Sequence, residues 1–208
     1  MINKKSFVLF EILIAISILA IFYISIKPNT NQFKTNQFID KLQFYIKQVR
    51  NKALIDNKFD LDNETWHKEL WTIKFQRCRS SVGGIYFTIY SDKNNSGKIN
   101  KEDTLKDKLT NTYMYSSNYC NESNTNNEDV LLTKNYNIQS INLTCNDTTS
   151  LGQLSFDSNS QVYSKLSNEF EDFNDYKINN TCTIEIVDNI GNVSKIYIDG
   201  KTGYSYRM

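Results

Sequence analysis

The chain has 208 residues, a formal net charge of +1 and an apolar fraction of 39%. This length allows one targeting element and one globular domain with a substantial core. The 24 basic and 23 acidic residues nearly cancel, so the overall charge does not require a polyanionic partner such as nucleic acid, although a local basic patch would still be compatible with one.

An apolar run lies close to the start of the chain. Residues 7–26 read FVLFEILIAISILAIFYISI and are interrupted only by Glu11 and two serines. As a helix, such a run rises about 30 Å, which is the thickness of a bilayer core. Lys4 and Lys5 precede it, which predicts a single-pass segment with a cytoplasmic N terminus. No small-x-small cleavage site follows, so we expect the helix to be retained.

Glu11 is the unusual residue of this run. An ionised carboxylate in apolar surroundings is costly and normally has a partner. Cleavage between Ser6 and Phe7 would create a new amino group at Phe7, and that ammonium, on the same chain or on a neighbouring one, would neutralise Glu11. A position one turn from a helix N terminus also favours a carboxylate.

The segment KKSFVLFEILIAISILAIF resembles the class III leader of type IV pilins and type II secretion pseudopilins. The similar features are a short basic leader, the small residue Ser6 before the cut, the aromatic Phe7, Glu11 as the fifth mature residue, and Pro28 where this family commonly has a helix-kinking proline. The family usually has glycine where this chain has Ser6. The resemblance implies cleavage by a prepilin peptidase, N-methylation of Phe7 and assembly of the helices into a filament. The alternative is an uncleaved signal anchor.

The same resemblance implies an organisation and a location. Residues 1–6 would be the leader, 7–56 one long helix with 7–27 as its transmembrane and filament-core part, and 57–208 the head. The subunit would lie in a bacterial inner membrane with a periplasmic head before it enters a periplasmic or cell-surface filament. Its partners would be other pilin or pseudopilin subunits, the peptidase and an inner-membrane assembly platform driven by a cytoplasmic ATPase.

The helix and the head differ in the period of their apolar residues. Beyond Pro28, an apolar stripe recurs every three or four residues and predicts an amphipathic helix packed on a sheet: Phe38, Leu42, Tyr45, Ile46, Val49 and Ala53. From about residue 57, alternation predicts short strands over 71–75, 85–89, 141–145, 153–156, 182–187 and 194–199, and DNIGN between the last two signals a hairpin. The predicted fold class is α+β, a long N-terminal transmembrane and amphipathic helix packed on an antiparallel β-sheet head.

Short segments of the head resemble GspH/FimT-like minor pseudopilins in particular. They are the strand and loop IYFTIYSDKNNSG and the closing segments LSFDSNSQVY and CTIEIVDNIGNVSKIYIDGKTGY. The resemblance implies a late strand pair that closes the head. The irregular, Asn-rich head favours a minor subunit over a major one.

Four well-separated cysteines favour disulfides. Cys78, Cys120, Cys145 and Cys182 form no CxxC pair, which argues against zinc. In an exported domain they predict two disulfides, and three pairings are open. We favour Cys145–Cys182, because each cysteine lies beside a predicted strand, which leaves Cys78–Cys120. Four buried free thiols are the alternative.

DKNNSGKINKED, residues 92–103, fits a twelve-residue calcium loop. The ligand positions are Asp92, Asn94, Ser96, the carbonyl of Lys98, and Asp103, and Gly97 supplies the sharp turn. Ser96 replaces a carboxylate, and Asp103 is one carbon shorter than the usual glutamate. A solvated turn at the end of a strand is the alternative.

No catalytic motif stands out, so we predict a structural filament subunit and not an enzyme. His67 is the single histidine and lies in the polar stretch DNETWHKEL, which predicts a surface histidine. The alternative function is a minor pilin that binds DNA during natural transformation. Lys195, Lys201 and Arg207 would then contact the DNA, interleaved with Tyr197, Tyr204 and Tyr206.

Overall fold

The computed structural model describes the backbone of residues 4–25 and 30–207 and the side-chain environments of residues 8–23 and 33–207. The chain separates into two compact units, Met1–Phe33 and Lys34–Met208. The first contains helix α1 (Lys4–Ser25) and the first four residues of helix α2 (Thr30–Ile55). The remaining residues of α2 belong to the second. Pro28 lies outside the described residues.

Two antiparallel four-stranded sheets form most of the second unit. The strands are β1 (Trp71–Arg77), β2 (Ile85–Tyr90), β3 (Ile138–Leu143), β4 (Gly152–Phe156), β5 (Val162–Tyr163), β6 (Thr181–Asp188), β7 (Val193–Asp199) and β8 (Ser205–Tyr206). Sheet one has the order β2-β1-β4-β5, and sheet two has the order β3-β6-β7-β8. A five-residue helix, α3 (Leu132–Tyr136), precedes β3 and ends at Asn137, whose φ of 58° is left-handed.

The apolar stripe of α2 is buried in one core with the inner faces of both sheets. Its spacing of three and four residues places the stripe on one side of the helix, so a single face meets the strands. Tyr45 of this face lies against Phe87 of β2, with ring centroids 5.8 Å apart. The helix thereby closes the core on one side.

The β6–β7 hairpin forms where DNIGN predicts it. Asp188 accepts hydrogen bonds from the N–H groups of Ile190 and Asn192, at 3.0 and 2.8 Å. Gly191 supplies a φ of 87° that other residues rarely adopt. These bonds hold the pKa of Asp188 below its ordinary value, against the opposing effect of desolvation. The turn therefore needs both its aspartate and its glycine.

Both favoured disulfides are confirmed. Cys78 pairs with Cys120 and Cys145 with Cys182, with Cα–Cα distances of 5.8 and 5.4 Å. The first pins the irregular segment between β2 and α3 beside the end of β1. The second joins the end of β3 to β6. Each closes a long loop, and such links typically contribute about 2–4 kcal/mol.

The predicted fold class is wrong. The strands form two separate antiparallel four-stranded sheets in place of the single sheet expected beneath the helix. Helix α1 and the first four residues of α2 belong to the unit Met1–Phe33, and the rest of α2 belongs to the unit Lys34–Met208. Alternation reveals strands but not their partners: β1 pairs with β2 and β4, whereas β6 pairs with β3 and β7.

The transmembrane segment over 7–27 and the single-pass inner-membrane location are also wrong. Among the helices of residues 4–25 and 30–207, none combines the length and the apolar content needed to cross a membrane.

Candidate assembly surface

Helix α1 exposes a large apolar surface. Its described apolar side chains of Val or larger are between 45% and 76% exposed. They are Val8, Leu9, Phe10, Ile12, Leu13, Ile14, Ile16, Ile18, Leu19, Ile21, Phe22 and Tyr23. Because successive residues are rotated by about 100°, these positions surround the helix and leave it without a polar face.

The two polar residues within this stretch behave differently. The hydroxyl of Ser17 donates a hydrogen bond to the carbonyl of Leu13 at 2.8 Å, so it is satisfied inside its own helix. Glu11 is exposed, and none of the described side chains forms an ion pair with it. The carboxylate is therefore available to a cation from outside the described part of the chain.

The processing residues lie in the first two turns of α1. Ser6 and Phe7 have helical backbone, and their side chains lie outside the described set. Phe7 is one turn before Glu11 on the same helix. An amino group created at Phe7 would lie one turn from Glu11 of the same chain, about 6 Å along the helix axis.

The candidate calcium loop is a tight turn closed by its own hydrogen bonds. Asp92 is 6% exposed, and its carboxylate accepts the N–H groups of Ser96 at 3.1 Å and Gly97 at 2.8 Å. Asn94 accepts the same Ser96 N–H at 3.2 Å. Gly97 has a φ of 68°. The turn by itself accounts for an aspartate and a glycine at these positions.

The rest of the loop supplies further oxygen atoms. The Ser96 hydroxyl donates to the Lys98 carbonyl at 3.1 Å, and Asn100 donates to a carboxylate oxygen of Asp103 at 3.1 Å. Within the described residues, no group of three or more His, Cys, Asp or Glu side chains is placed to hold a metal. A calcium ion would therefore depend on the amide, hydroxyl and carbonyl oxygens, and it stays a proposal.

Replacement of Asp92 by alanine is expected to lower the free energy of unfolding by about 1–3 kcal/mol, because the Gly97 N–H loses its acceptor and the Ser96 N–H keeps only Asn94. We expect the loss both with chelator and with calcium, as measured by urea unfolding. Asn94→Ala is the control, since its exposed side chain shares an N–H that Asp92 also accepts. A loss that appeared only with calcium present would show that the ion, and not the turn, depends on Asp92.

The residues of the DNA-binding hypothesis are brought only partly together. Lys195 and Arg207 line one shallow pocket of about 560 Å³ with Tyr197, whereas Lys201 is not among its lining residues. Lys195 lies 3.3 Å from Glu185, and Arg207 forms an ion pair with Asp40.

The tyrosines of the same hypothesis form a stacked row. The ring centroids of Tyr197 and Tyr206 are 5.4 Å apart, and those of Tyr204 and Tyr206 are 6.1 Å apart, with nearly parallel planes. Cross-strand pairing of β7 with β8 places Tyr197 opposite Tyr206. The row gives this face an aromatic surface, while acidic residues neutralise two of its three cations.

His67 is fully buried, so the predicted surface position is wrong. Its Nδ1 lies 3.1 Å from the Glu64 carbonyl, and its Nε2 lies 3.1 Å from the Ser167 carbonyl. The rings of Phe170 and Phe173, about a hundred residues further along the chain, cover it. The polar neighbours of His67 in the sequence do not indicate that Phe170 and Phe173 bury it. The adjacent aromatic residue Trp66 is the one sequence feature that suggests burial.

Stability is expected to fall on acidification from pH 7.5 to 5.5 because of His67. Desolvation lowers the pKa of His67, and the two carbonyl contacts oppose this effect without cancelling it. The unfolded chain, with a histidine pKa of about 6.5, then binds a proton before the folded chain does. Urea unfolding at several pH values measures the slope.

The variant His67→Gln tests the assignment. It should flatten the pH dependence between 7.5 and 5.5, since His67 is the sole histidine. A slope that is retained in the variant, or a wild-type stability that rises as the pH falls, would contradict it.

Comparison with known proteins adds no relative. No protein-family model, curated protein or solved structure matches this chain. The pilin resemblance therefore rests on the N-terminal residues and the short segments of the head.

Proposed function

We propose that the chain is a structural subunit, a minor pilin or pseudopilin, of a type IV pilus or a type II secretion-like filament. The observation that carries this proposal is the apolar surface around α1, with the exposed carboxylate of Glu11 within it. Removing apolar surface from water is favourable by about 25 cal/mol per Å². The α1 helices of other subunits offer a surface of the same chemistry, so bundling of the helices would cover it.

The resemblance supplies the steps of assembly. A prepilin peptidase cuts between Ser6 and Phe7, and the new amino group of Phe7 is methylated. The resulting ammonium neutralises Glu11 of a neighbouring subunit, while the apolar side chains pack around it. An ATPase-driven assembly platform adds the subunits. The role is structural and not catalytic, and the disulfides stiffen the head that the filament displays.

The N terminus of the protein isolated from its native cells tests the proposal. We expect intact mass and N-terminal sequencing to show a chain that begins at N-methylated Phe7. Without reductant, its mass should be four hydrogens below that of the reduced form, because both disulfides are formed. A chain that still begins at Met1 would contradict the filament proposal, whatever the state of its cysteines.

The DNA-binding alternative has less support from the charges. Glu185 and Asp40 pair with Lys195 and Arg207, which leaves little net positive charge for phosphate contacts. Retardation of duplex DNA by the full chain at moderate salt distinguishes the two functions. Retardation that is lost on neutralising Lys195, Lys201 and Arg207 would favour DNA binding, and we expect no retardation.

A further inference from the structure

A cavity of about 420 Å³ opens beside the buried carboxylate of Asp129. Its volume lies in the range of about 300–1,000 Å³ that is typical of small-molecule sites. It lies entirely within the unit Lys34–Met208 and is far in sequence from α1. No step of the proposed filament assembly involves this cavity.

One side of the cavity contains a hydrogen-bond network around the carboxylate of Asp129. Asp129 is 6% exposed and accepts hydrogen bonds from Lys41 Nζ at 2.8 Å, from the Tyr45 hydroxyl at 2.6 Å, and from the Tyr136 hydroxyl. Lys41 also donates to the Tyr136 hydroxyl at 3.0 Å. Two of the three N–H groups of the Lys41 ammonium thus have partners, and Lys41 lines the cavity.

The wall is an irregular segment that is held rigid. The Cys78–Cys120 disulfide fixes one end of it. The Tyr113 N–H donates to the Thr125 carbonyl at 2.9 Å, and the Asn127 N–H donates to the Tyr113 carbonyl at 2.8 Å. A site whose walls are already ordered loses little conformational entropy when a ligand binds.

The lining carries many groups that both donate and accept hydrogen bonds. Its lining residues include Asn121, Asn124, Asn126, Asn127, Thr110, Thr112 and Ser123, and the Asn127 amide is already bonded to Asp107 and to the Asp129 N–H. Amides and hydroxyls each combine donor and acceptor capacity. The ring of Tyr115 adds an aromatic surface, and only Val130 and Leu131 are aliphatic. Such a lining suits a ligand that is itself rich in hydroxyl groups.

The charge of the lining excludes anions. Asp107, Glu122, Glu128 and Asp129 contribute carboxylates, whereas Lys41 is the one cation among the lining residues. Lys41 is committed to Asp129, and Lys134 pairs with Glu122 at 3.0 Å. The remaining acidic side chains would repel a phosphate or a carboxylate. A purely apolar ligand would offer no hydrogen bond to the amides of Asn121 and Asn124.

From this cavity we propose a binding site for an uncharged sugar unit of a carbohydrate. The ring hydroxyls exchange hydrogen bonds with the Asn121 and Asn124 amides and with the carboxylates. The apolar face of the sugar ring packs on Tyr115. In a filament subunit, this site would bind glycans on a surface. Sugar binding itself does not depend on filament assembly.

Ligand-observed NMR on the full chain tests the site. The chain is kept in phosphocholine micelles, because α1 is apolar and sugar-headed detergents would compete. The probes are glucose, galactose, mannose, N-acetylglucosamine, maltose and lactose, with spermidine as a cationic probe. We expect saturable binding of at least one sugar, and we expect Asn121→Ala and Asn124→Ala each to weaken it about two- to tenfold.

The matched control is Asn118→Ala, an exposed asparagine near the same disulfide that does not line the cavity. Both test positions are exposed as well, so the fold should survive, and near-ultraviolet circular dichroism checks it. Failure of every sugar to saturate would overturn the proposal, as would an equal loss in Asn118→Ala. Binding of spermidine without any sugar would identify an amine site and overturn it too.

Discussion

Replacement of Asp129 by asparagine is expected to lower the free energy of unfolding by about 3 kcal/mol. Three donors, from Lys41, Tyr45 and Tyr136, converge on the carboxylate. An amide offers one acceptor oxygen and turns an NH₂ group toward donors, so it leaves at least one buried group unpaired. The expected loss lies at the lower end of the range for buried pairs, because the Lys41 side chain is 36% exposed.

Urea unfolding of the variant measures this effect, and Asp172→Asn is the control. Asp172 is exposed, and its side chain does not cap the short 3-10 helix that it precedes. Desolvation opposes the charge of Asp129, but the three hydrogen bonds outweigh it and hold its pKa below the ordinary value. Its stabilisation is therefore present above about pH 4 and is lost as the pH falls further. A loss no larger than that of Asp172→Asn would contradict the network.

Replacement of Glu11 by alanine is expected to reduce incorporation into the filament strongly while the head stays folded. In the proposed filament, the variant leaves a buried ammonium without a counter-charge, at a cost of about 3 kcal/mol. That cost corresponds to about a hundredfold weaker addition of a subunit. Recovery of the subunit in sheared, sedimented filaments measures incorporation, and the circular dichroism of the head checks the fold.

Ser17→Ala is the matched control for Glu11→Ala. Its hydroxyl bonds to Leu13 of its own helix, so we expect normal incorporation. Wild-type incorporation of Glu11→Ala would contradict the role of the carboxylate. An equal loss in Ser17→Ala would show that assembly is sensitive to any change in α1.

The elements of the head that depend on neighbours in sequence were predicted well. The strands β6 and β7 and the turn between them follow from alternating residues and from DNIGN, because side-chain alternation and turn chemistry are local properties. The stripe of α2 follows from helical spacing in the same way. The favoured cysteine pairs were also found, since each cysteine of Cys145–Cys182 lies beside a strand of the same sheet.

Long-range contacts explain what the sequence did not predict. Asp129 meets Lys41 and Tyr45 across 88 and 84 residues of chain, and no periodicity marks such pairs. His67 looked exposed because its sequence neighbours are polar, yet Phe170 and Phe173 cover it. Most residues that line the cavity beside Asp129 lie in an irregular segment. This segment has no helical or strand periodicity from which the sequence could predict the cavity.

Local chemistry along the chain was enough to specify strands, turns, the buried side of α2 and the apolar character of α1. Each of these depends on residues within a few positions of one another. Only the tertiary structure determined the division into two sheets, the burial of His67 and the charge network at Asp129. Each of these depends on which distant segments pack together, and packing selects among many partners of similar apolar character.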